Sequence, residues 1–104
     1  ERFDPASGSW EALRPMSRPR AAAATAVLAD RLYVCGGSDG REALSSAECY
    51  AAAAEAWRPL PPMSQRRRDV LAAAAAGRLY VCGGYDGAEA ILSSVERFDP
   101  ELGA

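Results

Sequence analysis

The 104 residues carry fourteen acidic and twelve basic side chains but no histidine, so neither an imidazole base nor an imidazole metal ligand is available. Cys35, Cys49 and Cys82 form no C-x-x-C pair, and no zinc spacing results. They are expected to pack as small buried apolar side chains, and unpaired thiols fit an intracellular setting. Asp39 and Asp86 each precede a glycine, and Asp4 and Asp99 each precede a proline. Such pairs form turns without any catalytic role. The run Arg66-Arg67-Arg68 is followed at once by Asp69 in a chain of net charge −2. It lacks interleaved aromatics for base stacking, so nucleic acid is not the expected partner. No catalytic residue, metal site or cofactor is assigned, and the chain is not read as an enzyme.

The elements that hold these residues are set by an internal repeat. Arg31 to Gly37 and Arg78 to Gly84 are the same seven letters, RLYVCGG, offset by 47. The same offset links Trp10 to Trp57, Pro15-Met16 to Pro62-Met63 and Asp39-Gly40 to Asp86-Gly87. One inserted residue then moves Leu44-Ser45-Ser46 and Glu48 on by 48, to Leu92-Ser93-Ser94 and Glu96. Glu1 to Pro5 returns as Glu96 to Pro100. A fixed period of this size marks stacked supersecondary units.

Within each unit the pattern favours short strands. Leu32 to Cys35 is an apolar, β-prone run stopped by Gly36-Gly37, with Gly83-Gly84 as its counterpart, where the backbone can take positive φ. Ala21 to Leu28 is a second apolar stretch, joined to the first through Ala29-Asp30-Arg31, a hairpin-length connection. Ser46 to Tyr50 places Ala47 and Cys49 on one face and Glu48 and Tyr50 on the other. A fourth strand surrounds Trp57 and closes at Pro59, Pro61 and Pro62, which cannot donate ladder hydrogen bonds. The alanine runs at 21–24, 51–54 and 72–76 are shorter than the ~12 residues an isolated helix needs. They are read as strands and a turn, giving four antiparallel strands per unit.

An all-β chain of four-stranded units at this period has the signature of a β-propeller. The strand ending in double glycine, the Asp-Gly pair, and the aromatic-to-Trp spacing of seven at Phe3–Trp10 and Tyr50–Trp57 resemble the kelch repeat. Pro-Met followed four residues later by Arg20 or Arg67, and LSSxE followed by an aromatic, look like the Kelch-like family in particular. The resemblance implies outer strands of one blade over 1–14, a complete repeat over 15–61, and a repeat lacking its outer strand over 62–104. Propellers have about 4 to 8 blades, so two blades are part of a ring. A repeat unit needs neighbours to cover its apolar face, and these are expected in a longer chain or an oligomer. A three-chain ring fits less well, because Glu1–Pro5 and Glu96–Pro100 would compete for one strand position. Trp10 and Trp57 are expected to wedge between blades, and Tyr33 and Tyr80 to lie in the blade core or at the channel edge.

The resemblance also implies a binding face. Kelch loops between second and third strands, and between fourth and first strands, gather on one side of the disc, and loops on a rigid scaffold carry recognition. Here that face comprises Arg18, Arg20, Ser38, Arg41, Glu42, Gln65, Arg67, Arg68, Tyr85 and Glu89, with Asp69 beside them. Arg20 and Arg67 are expected to clamp a partner carboxylate, as Kelch-like proteins grip acidic degrons; a structural salt bridge is the alternative for each. Tyr85 offers an exposed ring suited to an interface. Gly36, Gly37, Gly83, Gly84, Trp10, Trp57 and Tyr50 are assigned to structure. The implied function is a protein-interaction module, the substrate-recognition kelch domain of a cytoplasmic cullin-type ubiquitin ligase adaptor, binding a protein or peptide degron. An actin-binding or scaffolding kelch protein is the alternative, and part of a kelch-type enzyme a third. No apolar stretch approaches the ~18 residues of a membrane span, and no membrane partner is expected.

Overall fold

A computed structural model describes residues 1–104 apart from 88 and 89. Nine strands follow in order among the described residues, with no helix: β1 (Arg2–Asp4), β2 (Ser9–Glu11), β3 (Ala24–Leu28), β4 (Arg31–Cys35), β5 (Ala47–Ala51), β6 (Ala56–Leu60), β7 (Leu71–Ala75), β8 (Arg78–Cys82) and β9 (Val95–Phe98). They form three antiparallel sheets, β1-β2, β3-β4-β5-β6 and β7-β8-β9. The all-β reading holds. None of the alanine runs is helical: 72–75 lie in β7 and 52–55 form the turn between β5 and β6, as expected, whereas of the run 21–24 only Ala24 lies in β3 and 21–23 belong to the connection before it.

Tight turns set the register. Ala29 and Asp30 have φ of 51° and 60°, and Ala76 and Gly77 have 50° and 74°. Two successive positive φ values make the two-residue turn whose twist matches a hairpin, so Arg31 belongs to β4 and not to the connection. Asp4 accepts the Ala6 amide on Oδ1 at 2.9 Å, and Asp99 accepts the Glu101 amide at the same distance. The repeated Asp-Pro therefore builds the same side-chain-capped turn twice.

The core lies between the second and third sheets. Ala24, Tyr33, Cys35, Ala47 and Cys49 face Val70, Leu79 and Val81, with Met63 and Phe98 packed at the margin. Small residues at Ala24 and Ala26 on β3 and at Ala72 on β7 let these two strands pack together. Tyr33 and Phe98 tilt against each other with ring centres 6.4 Å apart. The opposite face of β5 is also covered, so Ala47 to Tyr50 are all buried.

Two expectations, those for Trp10 and Cys82, are corrected here. Trp10 is not a wedge between blades: it is 66% exposed and stacked on Phe3 across the β1-β2 hairpin at 5.3 Å, because a two-stranded sheet offers no second layer to bury it. Trp57 stacks on Tyr50 within its own sheet at 5.1 Å and donates its indole N–H to the Arg14 carbonyl at 2.7 Å. Cys82 is exposed, whereas Cys35 and Cys49 are buried. It sits with Leu71 and Val95 in one cross-strand row on the outward face of the third sheet, while Cys35 occupies the covered face of the second. Tyr33 is in the core and Tyr80 is half-buried.

Candidate binding face

The connections that precede β3 and β7 and the loops that follow β4 and β8 come together through short bridges. Ala21 pairs with Ser38 and Ser38 with Ala43 in the first unit; Arg68 pairs with Tyr85 and Tyr85 with Ile91 in the second. Double glycine makes this crossing possible. Gly37 has φ of 93°, and a Cβ there would lie 2.8 Å from the Ala21 carbonyl. A Cβ on Gly36 would meet the carbonyl of Arg67.

Arg20 and Arg67 do not reach solvent, which corrects the clamp expected of them. Both guanidinium side chains are 0% exposed and pair with Glu48 and Glu96, each at 3.1 Å. Arg20 also donates to the carbonyls of Gly36 and Ser46, both at 2.9 Å, and to Ser46 Oγ at 2.9 Å. Arg67 repeats the set on Gly83 O at 2.9 Å, Ser94 O at 3.0 Å and Ser94 Oγ at 2.7 Å. The planar fork of arginine suits this geometry, because it can serve a carboxylate and two carbonyls together. With every donor engaged, neither residue can take a partner's carboxylate without breaking the joint.

The two glutamates were missing from the sequence-derived site. Burial opposes the charge on Glu48, but the Ser17 amide and hydroxyl and the Arg20 guanidinium outweigh it and hold the carboxyl below its usual range. Glu96 is held down in the same way against burial, by Ser64 and Arg67. A signal was present in the sequence: Arg, Ser and Glu recur together, as Arg20, Ser46, Glu48 and as Arg67, Ser94, Glu96. Gln65 belongs to this joint as well, accepting from Ser94 Oγ at 2.7 Å and from Arg67 at 3.4 Å.

Other candidates do reach solvent. Arg66, outside the expected set, pairs with Glu42 at 2.8 Å and so ties the second connection to the first loop. Arg68 lies over the Tyr85 ring at 5.1 Å and bonds Asp69 at 2.9 Å. Tyr85 is 37% exposed and Ile91 77%. Arg18 and Arg41 are exposed, and Ser38 is half-buried with its hydroxyl accepting the Gly40 amide at 3.1 Å. Asp39 caps its loop through the Glu42 and Arg41 amides, which draw its carboxyl below the usual range. Gly87 approaches Ala43 so closely that a Cβ would lie 3.1 Å from the alanine methyl. The two loops thus form one continuous surface. Glu89 lies outside the described residues. Among the described residues no group of three or more acidic or cysteine side chains could hold a metal ion, and no helix is long and apolar enough to cross a membrane.

A family model described as Kelch motif matches residues 19–64 and 66–103. Over 52 residues, half of the chain, the sequence is 48% identical to Kelch-like protein 4 of Homo sapiens. Over 46 residues, 44% of the chain, it is 44% identical to Kelch-like protein 1 of Mus musculus. The matched stretches span only 7% and 6% of those relatives.

Proposed function

We propose that this chain, which belongs to the Kelch-motif family and is by that membership a protein-interaction module, recognises substrates for a cytoplasmic cullin-type ubiquitin ligase adaptor. The observation that carries this reading is the loop face on which Glu42, Arg66, Arg68 and Tyr85 from both units stand together. Tyr85 and Ile91 supply apolar area, and Arg18, Arg41 and Arg68 supply positive charge at the rim. Aromatic and arginine side chains in such a setting are the usual anchors of protein interfaces. A peptide degron with acidic and apolar residues matches that chemistry, as it does for the Kelch-like proteins this chain resembles.

The test is co-precipitation of the full-length protein with a cullin, alongside a Tyr85→Ala, Arg68→Ala double variant. The proposal expects cullin binding in both and loss of ubiquitinated substrate in the variant. Absence of cullin from both precipitates contradicts it, and co-sedimentation with actin would place the protein in the scaffolding class instead.

A further inference from the structure

Burial alternates along the connection before β7, with Arg66 exposed, Arg67 buried and Arg68 half-buried. An extended chain turns successive side chains to opposite sides, so Arg67 enters the joint while Arg66 and Arg68 stand together on the loop side. Arg68 is engaged there by the Tyr85 ring and by Asp69. Arg66 is held less completely. Among the described residues its one partner is Glu42, met through Nη1 alone at 2.8 Å. A carboxylate binds arginine best through two parallel N–H···O bonds, and this pair has only one. The two side chains are 57% and 49% exposed, and an ion pair so open to water contributes little. The backbone of Glu42 is fixed by other means. Asp39 Oδ1 accepts its amide at 3.0 Å, its carbonyl accepts the Asp39 amide at 3.3 Å, and the neighbouring Ala43 is buried close to Gly87. The Glu42 side chain can therefore leave Arg66 without disturbing its loop.

We infer that Glu42 is a resident stand-in for a partner's acidic side chain: it occupies a carboxylate seat on Arg66, and an acidic peptide engages the loop face by taking its place. This rests on the reading of the loop face as a peptide-binding surface. Because Arg20 and Arg67 are closed within the joints, a partner's carboxylate must find an exposed arginine. Arg66 stands two residues from Arg68 and so close to Tyr85, whose backbone pairs with Arg68 in both directions at 2.9 Å. An acidic side chain on Arg66 thus leaves its apolar neighbours over the ring. The exchange sets one carboxylate in place of another on the same guanidinium, so no charge is left unpaired. The incoming group adds the second hydrogen bond of a bidentate pair, and the Glu42 carboxylate returns to water.

The full-length protein tests this by fluorescence anisotropy with a fluorescein-labelled peptide pool randomised over glutamate, leucine and glycine, beside a matched pool carrying glutamine for glutamate. Glu42→Gln should tighten binding of the glutamate pool about twofold to fivefold, the scale of one exposed ion pair, and that of the glutamine pool by less. Arg66→Gln should weaken binding of the glutamate pool. Adding Glu42→Gln to Arg66→Gln should then change nothing, because the seat is gone. Both residues are exposed, so each variant should melt with the wild type. A gain from Glu42→Gln that persists without Arg66, or that is equal for the glutamine pool, overturns the inference. Wild-type binding that Glu42→Gln leaves unchanged or weakens overturns it too; where Tyr85→Ala still abolishes that binding, the peptide-binding reading stands without it. No binding of either pool by any form overturns both.

Discussion

Arg67 joins the two units through both of its ends: its carbonyl accepts the Gly37 amide at 2.7 Å, while its guanidinium pairs with Glu96 at 3.1 Å. Main chain is committed to one unit and side chain to the next. The joint thereby fixes the angle between sheets and the relative position of the loops they carry.

Loss of that side chain should be costly. Arg67→Ala leaves Glu96 with the Ser64 amide but no guanidinium and the Gly83 carbonyl without its side-chain donor, and breaking a buried pair from one side typically costs about 3 to 5 kcal/mol. Arg67→Lys should recover only part of this, since an ammonium cannot reproduce the fork. Urea unfolding of the three proteins checks the order, wild type above Lys above Ala.

Acid should act on the same joints. Both Glu48 and Glu96 are held below the 4.5 of a free glutamate. A carboxyl depressed in the folded state stabilises it above the unfolded value and loses that contribution as pH falls through the folded one. Thermal stability should therefore hold down to about pH 4.5 and decline beneath it. Glu48→Gln should lower stability at pH 7 and flatten the acid slope, as a melting series across pH would show.

Glycine substitutions separate strain from collision. At Gly40, φ is 96° with open space around an added Cβ, so Gly40→Ala should cost only the left-handed penalty of about 1 to 2 kcal/mol. At Gly37 the added atom also meets the Ala21 carbonyl, and Gly37→Val should leave the first unit unfolded. Circular dichroism on both variants distinguishes the two costs.

Thiol labelling should count the burial directly. Burial pushes the Cys35 thiol up to about 11 against the opposing charge of Arg20, and burial raises Cys49 as well. Cys82 is exposed. A thiolate-seeking reagent should label one cysteine quickly in the native chain and all three after denaturation.

The repeat made most of the fold legible. Aligning RLYVC with itself located β4 and β8, and the identical ERFDP segments located β1 and β9 with their turns. Burial was harder to read, because it depends on what lies opposite. Trp10 and Trp57 are equivalent in sequence, yet Trp57 finds the Arg14 carbonyl and Trp10 is open to solvent. Cys35 and Cys82 differ for the same reason. Arg20 and Arg67 look like exposed loop charges in sequence. Their burial follows from carbonyls and glutamates on the far side of the blade, in contacts such as Arg20 to Glu48 across 28 positions.

Under the proposed function the loop face binds partners while the buried joints beneath it only hold it in place. The most direct measurement compares Tyr85→Ala with wild type in the full-length protein, reading partner capture and melting temperature together. Capture lost at an unchanged melting temperature is the predicted result. Capture retained at wild-type strength, with Arg68→Ala equally silent, would contradict the claim.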